Sequence, residues 1–242
     1  MHHVLHQHEL DREGETLAIE GEEARHAVRV KRLREGEPIV LLDGRGGRAT
    51  GIVAGSDKNG PRDSWRLLVS IEHYRLIPQS SPAVHVLCPA PKGDLLESMI
   101  DQLSQVGAAS WSPLETARSE RPPRPGRLDR LRRVATESAK QCGRPWLLEI
   151  GEPVRFSDAL SRPHAVLAAA DGEAPGRLPH AGPDWGMEDI SVLVGPEGGF
   201  SDAERRNAEE QALARVALGP HVLRIGTAAV LAAAAFVRVS NV

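Results

Sequence analysis

Leu193-Val-Gly-Pro-Glu-Gly-Gly-Phe-Ser-Asp-Ala-Glu204 decides the fold class. The apolar run Ile190 to Val194 enters a turn at Gly195-Pro196-Glu197-Gly198-Gly199. Ser201, with Glu204 three residues on, has the spacing of a capping box that opens a helix. Strand, glycine loop and helix in that order make half of a parallel strand-helix-strand unit, and the loop lies where bare backbone amides can meet a ligand. The spacing fits neither G-x-G-x-x-G nor G-x-x-x-x-G-K-[ST], so the dinucleotide and ATP loops are not supported. A tight turn with a well-capped helix is the other reading, and Glu204 alone reads as a cap rather than as a catalytic acid.

The alternation continues on both sides. Ala83 to Cys88 predicts a buried strand. Asp94 with Glu97 predicts another capping box, opening a helix whose apolar face is Leu96, Met99, Ile100, Leu103 and Val106 and which ends at Gly107. A second helix is predicted from Leu128 to Cys142, with Leu131, Ala135 and Cys142 inward and Gly143 as C-cap. Strands at His164–Ala170 and Arg215–Leu218, with helices near Ser201–Leu213 and Thr227–Val239, complete an α/β domain over residues 76–242 with a parallel sheet covered on both faces. Residues 1–75 have a different texture. Ile39–Leu42, Ala49–Val53 and Trp65–Ile71 read as strands around the turn Asp43-Gly-Arg-Gly-Gly47, with a short helix over Glu22–Val30. Such spacing predicts a small β-barrel, joined through a linker at Ile77–Pro82.

Composition sets bounds on partners. The chain has 242 residues, a formal net charge of −3 and 3% aromatic residues, which argues against a polycation that coats nucleic acid and against gripping single strands mainly by base stacking. Its two cysteines, Cys88 and Cys142, form no C-x-x-C and read as buried structural thiols in a reducing cytoplasm. His2, His3, His6 and His8 read as a terminus or first strand rather than a metal site, and the N-terminus has neither signal nor transit character. The longest apolar run, Ala228 to Val237, is too short for a membrane span, which needs about 20 residues. No metal and no membrane are expected.

Two further features carry chemistry. In Leu218-Gly-Pro-His-Val-Leu-Arg-Ile-Gly-Thr-Ala-Ala-Val230 a strand ends in glycine, and Arg224 stands in an irregular segment among apolar residues before an Ala-rich helix. It reads either as a functional cation or as an arginine capping carbonyls or pairing a carboxylate. Basic residues also gather twice, at Arg25, Arg29, Lys31, Arg32 and Arg34, and at Arg118, Arg121, Arg124, Arg127, Arg130, Arg132 and Arg133. Arginine at this density suits bidentate contact with phosphate oxygens, or else a solvated face. Prolines keep the second cluster extended until about Leu128. The last third of the chain is net acidic.

These segments together resemble the bacterial 16S ribosomal RNA uracil-N3 methyltransferases of the SPOUT class. The similarity covers nearly the whole chain. It rests on Gly21-Glu-Glu-Ala-Arg-His-Ala-Val-Arg-Val-Lys-Arg-Leu-Arg-Glu-Gly36 and Leu42-Asp-Gly-Arg-Gly-Gly47 in the first part. In the second it rests on Lys92-Gly-Asp94, Pro113-Leu-x-x-x-Arg118-Ser119, Glu137-Ser-Ala-Lys-Gln-Cys-Gly-Arg144, Gly195-Pro-Glu-Gly-Gly199 and Leu218-Gly-x-x-Val-Leu-Arg224. The resemblance implies a PUA-like β-barrel that helps bind RNA, then a SPOUT-type α/β domain with a C-terminal trefoil knot. It implies a cytoplasmic homodimer acting on 16S rRNA of the small ribosomal subunit, at the decoding-region uridine 1498 of the rRNA. It places S-adenosylmethionine against Leu193, Gly195, Pro196, Glu197, Gly198, Gly199, Leu218, Gly219, Leu223, Ile225, Thr227 and Ala228. Arg224 is the first candidate for the catalytic cation and Arg118 the alternative. The candidate RNA contacts are Arg25, Arg29, Lys31, Arg32, Arg34, Arg45, Lys92, Arg118, Arg121 and Arg124.

The chain departs from the family in two segments. Gly226 replaces the acid of the usual Leu-Arg-Thr-Glu-Thr-Ala, leaving Thr227 to assume any capping role of that acid. Gln102 and Gln105 stand where the family has Lys and Glu. The departures motivate a rival class, a non-catalytic RNA- or ribosome-binding protein on a decayed scaffold. A SPOUT enzyme acting on another RNA is the third reading.

Overall fold

The computed structural model describes residues 2–5, 10, 13–58, 64–162, 164–177 and 189–238. Two units emerge from the way the chain packs: Met1–Gln79 with Ala139–Leu147, and Ser80–Ser138 with Leu148–Val242.

In the first unit, β1 (His2–Leu5), β2 (Thr16–Glu20), β3 (Pro38–Leu42), β4 (Gly47–Lys58) and β5 (Trp65–Leu76) form one sheet in the order β1-β3-β4-β5-β2. Only β1 and β3 run parallel; the other pairs are antiparallel. Strict alternation in Gly47–Val53 buries Gly47, Ala49, Gly51 and Val53 and leaves Arg48, Thr50 and Ile52 on the other face. The inner face, with Ala24 of α1 (Gly21–Arg25) and Ala27 of the π-helical turn that follows, encloses a core built on Ile19, Ile39, Leu41, Leu67, Val69 and Ile71. On the outer face Leu147 covers Leu5, Val40 and Leu42. Lys140, only 6% exposed, is neutralised by Glu23 at 2.7 Å.

The second unit alternates strand and helix. It comprises β6 (Val84–Cys88), α2 (Leu95–Val106), β7 (Ser110–Glu115), most of α3 (Pro125–Cys142), β8 (Glu149–Ile150), β9 (Val154–Arg155), α4 (Phe156–Leu160), β10 (Ala165–Glu173), β11 (Ile190–Leu193), α5 (Asp202–Glu210), β12 (Ala214–Val216) and α6 (Ile225–Phe236). The parallel sheet runs β12-β10-β11-β6-β7-β8, with β9 beside β7. One core lies under α2, α3 and α6 around Trp111, Met99, Ile100 and Leu103, and a second joins Leu87, Leu193, Phe156 and Phe200. Each fully buried Leu or Ile contributes about 1.5–3 kcal/mol, so both faces of the sheet are strongly held. None of the described helices is long and apolar enough to cross a membrane.

Several local expectations are corrected. Asp94 has αR backbone and makes no side-chain cap, because capping requires an extended residue there and Glu97 is drawn instead to Arg130 at 2.9 Å. α3 begins at Pro125, three residues before the predicted Leu128, proline being well suited to a first helical position. α6 begins at Ile225, with Arg224 as N-cap and no side-chain cap, so Thr227 takes no capping role. Cys142 is exposed, and Ala139 is buried in its stead. His6 and His8 lie outside the described residues.

Candidate active site

The glycine loop begins where β11 leaves the core. Gly195 passes so close to Phe200 that a Cβ there would lie 3.0 Å from the ring, and Gly199 has φ +66°, a left-handed conformation that favours glycine. The turn closes with the Gly199 amide donating to the Pro196 carbonyl at 2.8 Å. Ser201 then caps α5, and the box is complete: Glu204 N–H donates to Ser201 Oγ at 3.3 Å, and Ser201 N–H donates to Glu204 Oε2 at 2.7 Å. The other oxygen of this buried carboxylate accepts the Ala117 amide at 2.7 Å. Next to Ala117, the Arg118 guanidinium donates to the Gly198 carbonyl at 2.7 Å. The segment after β7 is thereby fixed both to α5 and to the glycine loop.

Beside this loop lies a cavity of about 500 Å³ at the carboxyl edge of the sheet. One wall is the end of β10 (Leu167 to Asp171), a second is Val194 to Phe200, and a third is Leu218 to Leu223 with Ala228 of α6. In an open parallel sheet, ligands bind at this edge. Eight of the cofactor candidates line the cavity: Gly195, Pro196, Glu197, Gly199, Leu218, Gly219, Leu223 and Ala228. The other four do not. Leu193 is fully buried in the core with Phe156 and Phe200, Ile225, the first residue of α6, is buried in the other core, Thr227 faces solvent, and Gly198 turns toward Arg118.

Sequence reasoning missed the polar rim. Arg215 of β12 pairs with Asp171 of β10 at 2.8 Å and with Glu209 of α5 at 3.5 Å, and all three line the cavity together with Arg205 and His221. Forty-four residues separate Asp171 from Arg215, and nothing in the local pattern of either segment signals their meeting.

Arg224 is exposed at the start of α6, between the wall residues Leu223 and Ala228, and no acceptor pairs with it among the described residues. Among those residues it neither caps a carbonyl nor neutralises an acid. Gly226, in the first turn of α6, has open space beyond a 3.9 Å approach to Met99. Gln105 bonds to Asp101 at 2.9 Å. The basic candidates divide by their engagements. Lys92 is held by Glu120 at 2.7 Å, and that bond, with the charges of Glu120 and Glu197, raises the ammonium pKa. Lys31 donates to the His3 carbonyl at 2.8 Å. Arg25, Arg29, Arg32, Arg34, Arg45, Arg121 and Arg124 are exposed, whereas Arg127 and Arg130 are drawn to Glu97. Among the described residues no group of three His, Cys, Asp or Glu side chains is placed to hold a metal ion.

Comparison with known proteins places this geometry. Residues 78–237 match the model of the RNA methyltransferase domain, and residues 19–61 match that of the RNA methyltransferase PUA domain. Ribosomal RNA small subunit methyltransferase E of Bacillus subtilis is 27% identical over 92% of this chain and 90% of its own. The protein of that name from Synechocystis is 27% identical over 90% of this chain and 72% of its own. A crystal structure of ribosomal RNA small subunit methyltransferase E from Neisseria gonorrhoeae, bound to S-adenosyl methionine, superposes with a TM-score of 0.79 at 24% identity, over 97% of this chain and 96% of that one. The cavity, the glycine loop and Arg224 all lie inside the matched 78–237, and on that match the chain belongs to the RNA methyltransferase domain family.

Proposed function

We propose that this protein methylates N3 of one uridine in 16S rRNA of the small ribosomal subunit, the decoding-region uridine 1498 of the rRNA, using S-adenosylmethionine. The observation that carries the proposal is the cavity of about 500 Å³ with an exposed arginine, Arg224, beside its wall, unpaired among the described residues. The residues fit the cofactor. The volume suits a nucleoside-sized ligand, Val194, Leu223 and Ala228 offer apolar surface to a base, and Glu197 brings negative charge to a cationic ligand. When bound, S-adenosylmethionine supplies an electrophilic methyl group.

The protein's own task is positioning and charge. Uridine N3 lies on the pairing edge and carries a proton at neutral pH, so the base must leave its stack and give that proton to water or hydroxide as N3 takes the methyl group. Holding N3 in line with the methyl group supplies a large part of the rate. Arg224 stabilises the negative charge that develops on the uracil oxygens, and Arg118, fixed to Gly198, clamps a phosphate or stands in for Arg224. The basic candidates at Arg25, Arg29, Lys31, Arg32, Arg34, Arg45, Lys92, Arg121 and Arg124 hold RNA phosphates, the first six on an RNA-binding domain of residues 1–75. The same reading has the carboxyl-terminal chain threaded as a trefoil knot around the cofactor, in a homodimer in the cytoplasm.

Two measurements test this. Calorimetry with S-adenosylmethionine is expected to give one site per chain, and no detectable binding would favour a decayed scaffold. Mass spectrometry of rRNA from a deletion strain is expected to show loss of one N3-methyluridine from 16S rRNA. A profile unchanged there but altered in another RNA would move the substrate, and no change anywhere would refute the activity.

A further inference from the structure

The antiparallel register of β4 and β5 sets Arg48 directly opposite Arg75, and Thr50 opposite His73. In the same rows, Arg48 faces Leu42 and Thr50 faces Val40 on β3, and these continue to Leu5 and His3 on β1. Registered partners share a face, so one side of the sheet carries two rows, apolar at the β1–β3 end and cationic at the β4–β5 end. Leu147 covers the apolar end. Arg48 is half-buried and Arg75 exposed, and neither has a carboxylate partner among the described residues.

Like charges directly opposite each other across an antiparallel pair destabilise it. Burial and the charge of Arg75 both push the Arg48 guanidinium pKa down, and the charge of Arg48 in turn lowers that of His3. Among the described residues nothing in the sheet offsets the repulsion of these two guanidiniums. Facing side chains lie about 5 Å apart, which lets two planar donor forks engage one phosphate or two successive phosphates of a strand. Thr50 and His73 stand side by side in the neighbouring row.

We infer that Arg48 and Arg75 form a phosphate-binding site for the RNA backbone on the outer face of the first unit, a site separate in sequence from both arginine clusters. The inference rests on the proposed RNA substrate. Twenty-seven positions separate the two arginines, and only strand register brings them together.

The test uses the full chain and a labelled 16S rRNA transcript. Affinity is measured against KCl concentration for the wild type, Arg48→Gln, Arg75→Gln, the double glutamine variant and the double lysine variant. The double glutamine variant is expected to bind at least tenfold more weakly at low salt. The slope of log affinity against log salt should become shallower by about one for each arginine removed. The double lysine variant should keep the wild-type slope, because it keeps the charge. Melting temperature should hold or rise in the glutamine variants, since a repulsion is removed. Unchanged affinity and slope in a folded double glutamine variant would overturn the site, as would weaker binding with an unchanged slope. A wild type that binds no RNA would instead overturn the functional reading, and this site with it.

Discussion

Glu204 reaches from the first turn of α5 to the Ala117 amide at 2.7 Å, and so connects two segments 87 positions apart. Its second oxygen completes the capping box with Ser201. Removing Ser201 Oγ costs only a cap, about 1 kcal/mol. Glu204→Ala also strands a partly buried amide, raising the loss to about 2–3 kcal/mol. Because Arg118 sits next to Ala117, Glu204→Ala should further raise KM for RNA more than Ser201→Ala does. Thermal melts and steady-state methylation of both variants check this.

Arg224→Ala should lower kcat by about 10²–10³, the usual effect of removing one donor to a developing anion, while affinity for S-adenosylmethionine stays within about threefold. The side chain is exposed and makes no bond that the fold needs, so the melting temperature should not move. Single-turnover methylation separates the two effects, and unchanged turnover would remove Arg224 from the mechanism.

Gly226 lies in the first turn of α6 without a positive φ, and a methyl group added there would come no closer than 3.9 Å to Met99. Gly226→Ala should therefore stabilise by about 0.5 kcal/mol, chiefly by restricting the unfolded chain. Denaturant titration reads this out. A destabilised variant would mean that this position needs its bare backbone.

The two thiols should differ sharply. Cys88 is fully buried and its thiol pKa is pushed up to about 12 by burial, against a Trp111 Nε1–H donor at 3.1 Å that lowers it. Cys142 is exposed. In native protein a thiol reagent should modify one cysteine rapidly and the second only on unfolding, and Cys142→Ser should abolish the rapid phase.

Burial holds the His3 imidazole below its ordinary 6.5, aided by the charges of Arg48 and Lys31 and opposed by a hydrogen bond to the Lys140 backbone. As pH falls, the unfolded chain takes up this proton first. The stability that His3 protects is therefore full above about pH 6.5 and declines below it toward the folded-state pKa. Melting temperatures between pH 8 and 5.5 should fall less steeply in His3→Gln than in the wild type.

The order of strands and helices was legible because each element carries its own period and punctuation, as at β11, Gly195–Gly199 and α5. Helix starts were less so. Arg224 has little intrinsic capping signature, Pro125 stands in a proline-rich stretch that reads as extended, and Asp94 has a signature that its backbone conformation leaves unused. Part of the pocket wall was readable from glycine placement. Its Arg215–Asp171–Glu209 rim was not, since pairing across three elements leaves no local trace. The same holds for Ala139–Leu147, which begins in the last turn of α3 yet packs with the first unit.

That return of the chain has a consequence for synthesis. Leu42 is made 105 residues before Leu147, the side chain that shields it. At about 5–20 residues per second, the strip formed by Leu5, Val40 and Leu42 stays bare on the nascent chain for roughly 5–20 s. During that interval it is a target for chaperones and for wrong partners. A fragment cut at residue 79 would remain in that condition permanently.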